Sequence, residues 1–210
     1  MEAILHKCRQ FVEGIYNEFD GSHDFAHIER VLKNAEEILT EEPSANGDVV
    51  CLAVYLHDIE DAKYQSATNP SVAEILQAIG ASKDLAQAVI ACIDSVSFSG
   101  GNAKDLTSIE GAIVRDADRL DAIGAIGIAR TFAFGGARGR KLYDASETAR
   151  DQMSEAEYRD KKTASVTHFY EKLLLLKDLM VTKEGKRLAE QRHAYMVGFL
   201  KQLEIEIGLE

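Results

Sequence analysis

Apolar residues recur at every third or fourth position along most of this sequence, and that rhythm predicts amphipathic α-helices. In the segment 24–39 six apolar positions follow the helical spacing: Ile28, Val31, Leu32, Ala35, Ile38 and Leu39. Only Pro43 and Pro70 interrupt the chain, and no segment of the sequence alternates as a strand would. The sequence therefore predicts an all-α fold.

Loops rich in glycine and polar residues divide this pattern into separate helices. The predicted spans are 2–18, 24–39, 49–61, 71–80, 83–96, a long helix from about 107, 163–180 and 183–207. Ser22 and Asp48 are expected to cap the second and third helices, and Thr107–Glu110 has the form of a capping box. The basic loop 135–141 leads into a polar region to about 162, which is either an active-site lid or disordered.

The sequence contains no repeat and no linker that would divide it. We therefore expect one domain over residues 1–210, with a core at roughly 20–135 and C-terminal helices at 163–207 that pack on it. The apolar C-terminal helices allow either completion of this core or a homodimer contact.

The charge balance excludes some classes of partner. With 24 Lys and Arg against 35 Asp and Glu, the net charge is −11, so a general nucleic-acid binder or a binder of anionic membranes is not expected. No signal-peptide pattern and no long apolar run is visible, so we expect a cytoplasmic protein. Cys8, Cys51 and Cys92 are scattered, which favours free thiols over a disulfide framework.

A histidine and an aspartate, His57 and Asp58, directly follow the apolar run 49–56. Burying two such groups is costly unless something compensates them, and a metal ion would do so. His27 and Asp118 also lie beside apolar helical patterns. A lone histidine is more often a hydrogen-bonded core residue, and a lone aspartate more often a cap, so the hypothesis depends on the joint occurrence of all four.

Two imidazoles and two carboxylates suit a divalent ion. Carboxylates favour Mg²⁺ and Mn²⁺, whereas imidazoles favour Mn²⁺, Fe²⁺, Co²⁺, Ni²⁺ and Zn²⁺. Such an ion would acidify a bound water and polarise a phosphoryl oxygen. The segment DADRLD offers three carboxylates, Asp116, Asp118 and Asp121, of which 118 and 121 share a helix side.

The pattern resembles the HD-domain metal-dependent phosphohydrolase superfamily, and within it a bacterial subgroup. The matching stretches are His23–Val31, Leu56–Lys63, Ser97–Gly101, Glu110–Gly136 and His168–Met196. The resemblance implies an all-α fold with the metal site between core helices and with His27, His57, Asp58 and Asp118 as ligands. It also implies hydrolysis of phosphomonoesters, phosphodiesters or nucleoside triphosphates. A Mn²⁺-dependent nucleoside-triphosphate pyrophosphohydrolase is the most concrete precedent.

Other residues near these motifs are candidates for catalysis and for binding a phosphorylated small molecule. The acid that orients the water or accepts its proton is expected to be Glu60, Asp61 or Asp121. Asp58 is also expected to take part in catalysis, as a metal ligand. Asp121 could also be a second acceptor near the metal, while Asp116 is interpreted as structural or solvated. Substrate contacts are expected from His23, Arg30, Lys63 and Arg119, although a surface position is the ordinary alternative for each.

The same ligand set leaves other functions open. A phosphomonoesterase or a phosphodiesterase would use the same site, because selectivity resides in pocket walls that the sequence does not reveal. A nucleotide-binding sensor without turnover, or a helical interaction scaffold, are alternatives from other classes. The scaffold would explain the apolar run 173–176 but would leave the His-Asp cluster unexplained.

Overall fold

The computed structural model describes residues 1–18, 24–60, 69–96, 106–150 and 163–208, and every regular element in these ranges is helical. In chain order the elements are α1 (Glu2–Tyr16), α2 (Phe25–Leu39), α3 (Gly47–Leu56), α4 (Val72–Ala78), α5 (Lys83–Val96), α6 (Ile109–Asp121), α7 (Gly124–Ala137), α8 (Ser165–Glu171), a 3-10 helix (Leu173–Leu179) and α9 (Lys183–Glu206). The predicted all-α class is confirmed. The chain divides into two compact units, Met1–Asp118 and Arg119–Glu210, and the single-domain boundary stays a prediction.

Helix α3 forms the centre of the first unit. It is apolar over most of its circumference, and α1, α2 and α5 pack against it. Leu52, Val54 and Leu56 are completely buried, and burying an aliphatic side chain of this size contributes about 1.5–3 kcal/mol. The C-terminal end of α3 is therefore held firmly by the core.

Asparagine and aspartate side chains set where α2 and α3 begin, and both caps differ from the prediction. Asp24 caps α2, because its Oδ1 accepts the N–H of His27 at 3.1 Å, whereas the predicted cap, Ser22, lies outside the described residues. Asn46 caps α3 by accepting the N–H groups of Asp48 and Val49. Asp48 thus lies inside the first turn, where its charge suits the positive end of the helix dipole. Helix α3 ends at Leu56 and does not extend to 61.

The side chain that caps α6 is that of Ser108, whereas the predicted capping box would begin at Thr107. Ser108 Oγ accepts the N–H of Gly111 at 3.1 Å. The carboxylate of Glu110, which also contacts Ser108 and its own N–H at the start of α6, accepts the N–H of Asn46 at 2.8 Å. One acid thereby links the beginning of α6 to the beginning of α3.

The long helix predicted from about 107 is two helices, because the chain turns after Asp121. Gly124 begins α7 with a φ of 76°, which a residue with a side chain adopts only with strain. In the second unit α9 packs against α7 and the 3-10 helix, and α8 packs against α7 and the same 3-10 helix. Three phenylalanine rings, Phe132, Phe169 and Phe199, lie with their centroids 5.9–6.2 Å apart in this unit.

The segment before α8 is held by hydrogen bonds. The N–H groups of Ser165 and Val166 donate to the carbonyls of Lys141 and Leu142 at 3.0 and 2.9 Å. The carboxylate of Glu147 accepts the hydroxyl of Thr167 at 2.6 Å and the N–H of residue 164. The described part of the predicted lid is therefore fastened to α8, and residues 151–162 lie outside the described ranges.

The helix predicted at 163–180 also has two parts. The α-helix ends at Glu171, and Lys172, with φ −143° and ψ −58°, separates it from the 3-10 helix. Among the described helices none has by itself the length and hydropathy to cross a membrane, although α6 and α7 meet both criteria when joined.

Candidate metal centre

The four predicted ligands of the first unit come together in space. His27 lies in the first turn of α2, His57 and Asp58 follow the last residue of α3, and Asp118 lies near the end of α6. Both imidazole Nε2 atoms are 3.5 Å from Asp58 Oδ2, and they are 3.6 and 3.9 Å from Asp118 Oδ1. The ligand atoms of His27, His57 and Asp118 all lie within 4.8 Å of one another. Residues that are 91 positions apart in sequence thus surround one point.

The orientation of His57 suits a metal ligand. Its Nδ1 lies 2.9 Å from the carbonyl oxygen of Val54, and since a carbonyl only accepts, Nδ1 carries the proton. The lone pair of the neutral ring is then on Nε2, which points toward the carboxylates. Burial lowers the pKa of His57, but the Asp58 and Asp118 carboxylates and the Val54 carbonyl raise it more, to about 10. The site strongly favours a positive charge at this position.

The two carboxylates differ in their access to solvent. The side chain of Asp118 is 39% exposed and that of Asp58 is 17% exposed, whereas those of His27 and His57 are 1% and 3% exposed. Burial raises the pKa of Asp118, but the neighbouring imidazoles of His57 and His27 outweigh it and hold that pKa below its usual value. The cluster therefore has a buried side formed by imidazoles and an open side at Asp118.

A divalent ion fits this donor set. Donors that lie 2.0–2.2 Å from one ion are separated from each other by about 3–3.5 Å, and the closest separations here are 3.5 and 3.6 Å. Ordinary hydrogen bonds to nitrogen are shorter, at about 2.9–3.0 Å. Two imidazole nitrogens with carboxylate oxygens match the preferences of Mn²⁺, Fe²⁺, Co²⁺, Ni²⁺ and Zn²⁺.

The candidate acids Glu60 and Asp121 make contacts of their own. Glu60 Oε1 accepts the N–H of Val72 at 3.0 Å, which helps to begin α4. Asp121 is 1% exposed and its Oδ2 lies 2.6 Å from Arg130 Nη1 in a buried ion pair of the second unit. These contacts give both carboxylates structural roles, and their parts in catalysis stay predictions.

The predicted substrate contacts are only partly described. Arg30 is half-buried on α2, one turn after His27, while His23, Asp61 and Lys63 lie outside the described residues. Arg119 Nη1 donates to the carbonyl of Leu179 at 2.6 Å, so this guanidinium anchors the end of the 3-10 helix.

The structure settles the position of one further acid and adds two buried polar residues that the sequence reasoning missed. Asp116 is completely buried, so the solvated alternative is wrong.

Tyr16 is also completely buried, and burial together with the Asp58 carboxylate raises its pKa. Asn34, 5% exposed, donates to the carbonyl of Ala117 at 3.0 Å. A polar residue on the apolar face of α2, seven positions after His27, was the available signal.

Comparison with known proteins identifies the family of this chain. A family model described as "HD domain" matches residues 24–123, which include all four clustered residues. YpgQ of Bacillus subtilis is 39% identical over 96% of this chain and 92% of its own length.

Solved structures match along almost the whole chain. A Lactobacillus plantarum protein has a TM-score of 0.87 at 35% identity, with coverage of 100% and 99%. YpgQ in complex with ADP has a TM-score of 0.77 at 36% identity, with coverage of 97% and 94%. An HD-superfamily hydrolase from Bacillus thuringiensis has a TM-score of 0.75 at 38% identity, with coverage of 98% and 97%. The chain therefore belongs to the HD domain family, the superfamily of metal-dependent phosphohydrolases.

Proposed function

We propose that this protein hydrolyses nucleoside triphosphates to nucleoside monophosphates and pyrophosphate, with Mn²⁺ as its metal. The observation that carries the proposal is the convergence of His27, His57, Asp58 and Asp118 at the end of α3. The solved complex of YpgQ with ADP supports a nucleotide as the ligand, since that relative is similar over nearly its full length.

The charges of the cluster explain why a phosphate ligand requires the ion. The two aspartates bring a charge of about −2 to the cluster, and this charge repels a polyphosphate unless it is balanced. A divalent ion held by the four residues balances that charge. The half-exposed carboxylate of Asp118 marks the open side, and a phosphate group reaches the cluster from there.

In this proposal the ion supplies Lewis-acid polarisation of a phosphoryl oxygen and acidifies water. The chain's own groups hold and orient the reactants. His57 is fixed by its bond to Val54 so that Nε2 faces the site. We assign phosphate contacts to His23, Arg30 and Lys63, because an acidic protein must gather its cations locally to bind a polyanion.

The reaction we propose breaks the bond between the α-phosphorus and the oxygen that bridges it to the β-phosphorus. Water oxygen forms the new bond to the α-phosphorus, and pyrophosphate leaves with the bridging oxygen. An acid near the site accepts the proton of the attacking water. Glu60 and Asp121 are engaged in other contacts, which makes Asp61 the first acid to test.

Hydrolysis in ¹⁸O-labelled water tests the position of attack. Attack at the α-phosphorus places the label in the monophosphate, and attack at the β-phosphorus places it in pyrophosphate. The Asp58→Ala variant should lose turnover while keeping its helical circular dichroism. Asp48→Asn, in the first turn of α3 and away from the cluster, is the matched control and should keep turnover within about twofold.

Three results would replace the proposal. Orthophosphate release from monoesters, or cleavage of phosphodiesters, would identify the alternative hydrolases of the same site. Nucleotide binding without turnover under Mn²⁺, Mg²⁺, Ni²⁺ and Co²⁺ would identify a sensor. Elemental analysis of the purified protein reports the resident metal directly.

A further inference from the structure

Helix α2 reaches the backbone of α6 through one buried side chain. The Nδ2 of Asn34 donates to the carbonyl oxygen of Ala117 at 3.0 Å, and these two residues are 83 positions apart in sequence. Asn34 is 5% exposed and Ala117 is completely buried. Because alanine presents only a methyl group, the short asparagine side chain can reach the main chain of α6.

This hydrogen bond joins the helix of His27 to the residue of α6 that directly precedes Asp118. Asn34 follows His27 by seven residues, so the two lie on one face of α2 about 10 Å apart along its axis. Ala117 directly precedes Asp118. Two separate contacts therefore join α2 to neighbouring residues of α6, namely Asn34 to Ala117 at 3.0 Å and His27 to Asp118 at 3.6 Å.

The hydrogen bond from Asn34 constrains α6 more than apolar packing does. A hydrogen bond has a preferred length and direction, whereas an apolar contact tolerates rotation of a helix about its axis. Rotation of α6 would swing the Asp118 carboxylate away from the two imidazoles. The bond from Asn34 opposes that rotation at the adjacent residue.

We propose that Asn34 is a positioning residue, which holds Asp118 at the distance from His27 and His57 that one metal ion requires. The inference rests on the proposed metal site but assigns a residue that touches neither the ion nor the substrate. Residues that orient metal ligands typically change metal affinity by 10–100-fold when they are replaced. We expect an effect of that size for Asn34.

The experiment compares metal binding in the full-length protein, without reference to activity. Asn34→Leu keeps a similar volume and removes the donor, and Asn34→Ala removes the donor with a smaller side chain. The matched control is Ser95→Ala, because Ser95 is 3% exposed and its hydroxyl also donates to a backbone carbonyl, that of Cys92. Mn²⁺ affinity is measured by electron paramagnetic resonance, and the visible spectrum of the Co²⁺ form reports ligand geometry.

The expected result is that every folded Asn34 variant binds Mn²⁺ 10-fold or more weakly and shows altered Co²⁺ bands. Ser95→Ala should bind within about twofold of the parent even if its thermal midpoint falls equally. Unchanged affinity and Co²⁺ bands in a folded Asn34 variant would overturn the inference, as would the loss of fold in both variants at every temperature. Unchanged affinity in His57→Ala would instead overturn the metal site itself.

Discussion

The Nδ1–H of His57 donates a 2.9 Å hydrogen bond to the carbonyl oxygen of Val54, one turn earlier in the chain. That carbonyl belongs to the last turn of α3, where no further helical N–H is available to it. The bond therefore gives the Val54 carbonyl a hydrogen-bond donor, and it also fixes the orientation of the His57 ring. The end of the largely buried helix α3 thus orients a candidate ligand.

A direct prediction concerns the tautomer of this ring. In the form loaded with diamagnetic Mg²⁺ or Zn²⁺, His57 should carry its proton on Nδ1, because only that nitrogen faces an acceptor. Long-range ¹H–¹⁵N correlation spectra distinguish the two tautomers by the ¹⁵N shifts of the ring. Protonation of Nε2 in the metal-loaded protein would contradict the assignment of Nε2 as the ligand atom.

Metal removal should lower stability without unfolding the chain. An ion that binds only the folded state at 100 times its dissociation constant adds about 2.7 kcal/mol, which raises the thermal midpoint of a protein of this size by roughly 5–10 °C. Thermal scans after chelation and after Mn²⁺ addition measure this shift. Asp58→Ala should abolish the shift, and Asp48→Asn should preserve it; equal shifts in both variants would remove Asp58 from the ligand set.

Two helical glycines should respond in opposite ways to alanine. A Cβ on Gly111 would lie 2.2 Å from Ser95 Oγ, whereas a Cβ on Gly14 meets nothing within 4 Å. Gly111→Ala should destabilise by about 1–3 kcal/mol, and Gly14→Ala should stabilise by about 0.5–1 kcal/mol. Urea unfolding measures both changes. Adding Ser95→Ala to Gly111→Ala should restore part of the loss, since the closest atom is then absent.

The ion pair between Arg150 and Glu171 should be sensitive to the loss of its cation. Arg150 Nε lies 2.7 Å from Glu171 Oε1, and the glutamate side chain is only 2% exposed. Arg150→Met leaves a buried carboxylate without its guanidinium and should cost about 3–5 kcal/mol. The double replacement Arg150→Met with Glu171→Met removes both charges and should recover much of that loss. Denaturant titrations of both proteins decide this, and equal losses would show that the charge is not the cause.

The stability of the second unit should fall in mild acid because of His168. Burial, together with the charges of Lys172 and Arg140, lowers the pKa of His168 from 6.5 to about 4 against the opposing effect of Glu171. Between these values the unfolded chain binds a proton that the folded chain does not, so stability rises with pH and is lost as pH falls from 6.5 toward 4. The full difference is about 3 kcal/mol.

The variant His168→Gln isolates this contribution. Its free energy of unfolding should depend less on pH between 4 and 6.5 than that of the parent protein, while the two slopes should agree above pH 7.5. Urea unfolding at half-unit pH steps provides the comparison. Parallel curves for the two proteins across the acidic range would contradict the assignment of the acid sensitivity to His168.

The presence of each helix could be predicted because the apolar periodicity of the sequence is strong. The ends of the helices could not, because neighbouring side chains compete to cap the same N–H groups. Asp48 and Asn46 are both good caps in sequence, and only the path of the chain decides that Asn46 accepts the first N–H groups of α3. In the same way Asp121 and Gly124 lie inside an unbroken apolar pattern, yet the chain turns there with Gly124 at positive φ. The prediction of one long helix failed because periodicity does not report the direction in which a chain leaves a helix.

The amino-acid sequence by itself determined the all-α class, the buried α3 and the residue types of the cluster, because these follow from local periodicity and from the chemistry of each side chain. Tertiary structure alone decided that His27 and Asp118 lie 3.6 Å apart and that Asn34 reaches Ala117. Residues so far apart in a chain meet only when the packing of whole helices fixes their rotation and spacing. The physical reason is that one-dimensional patterns specify which face of a helix is buried but not which neighbour buries it.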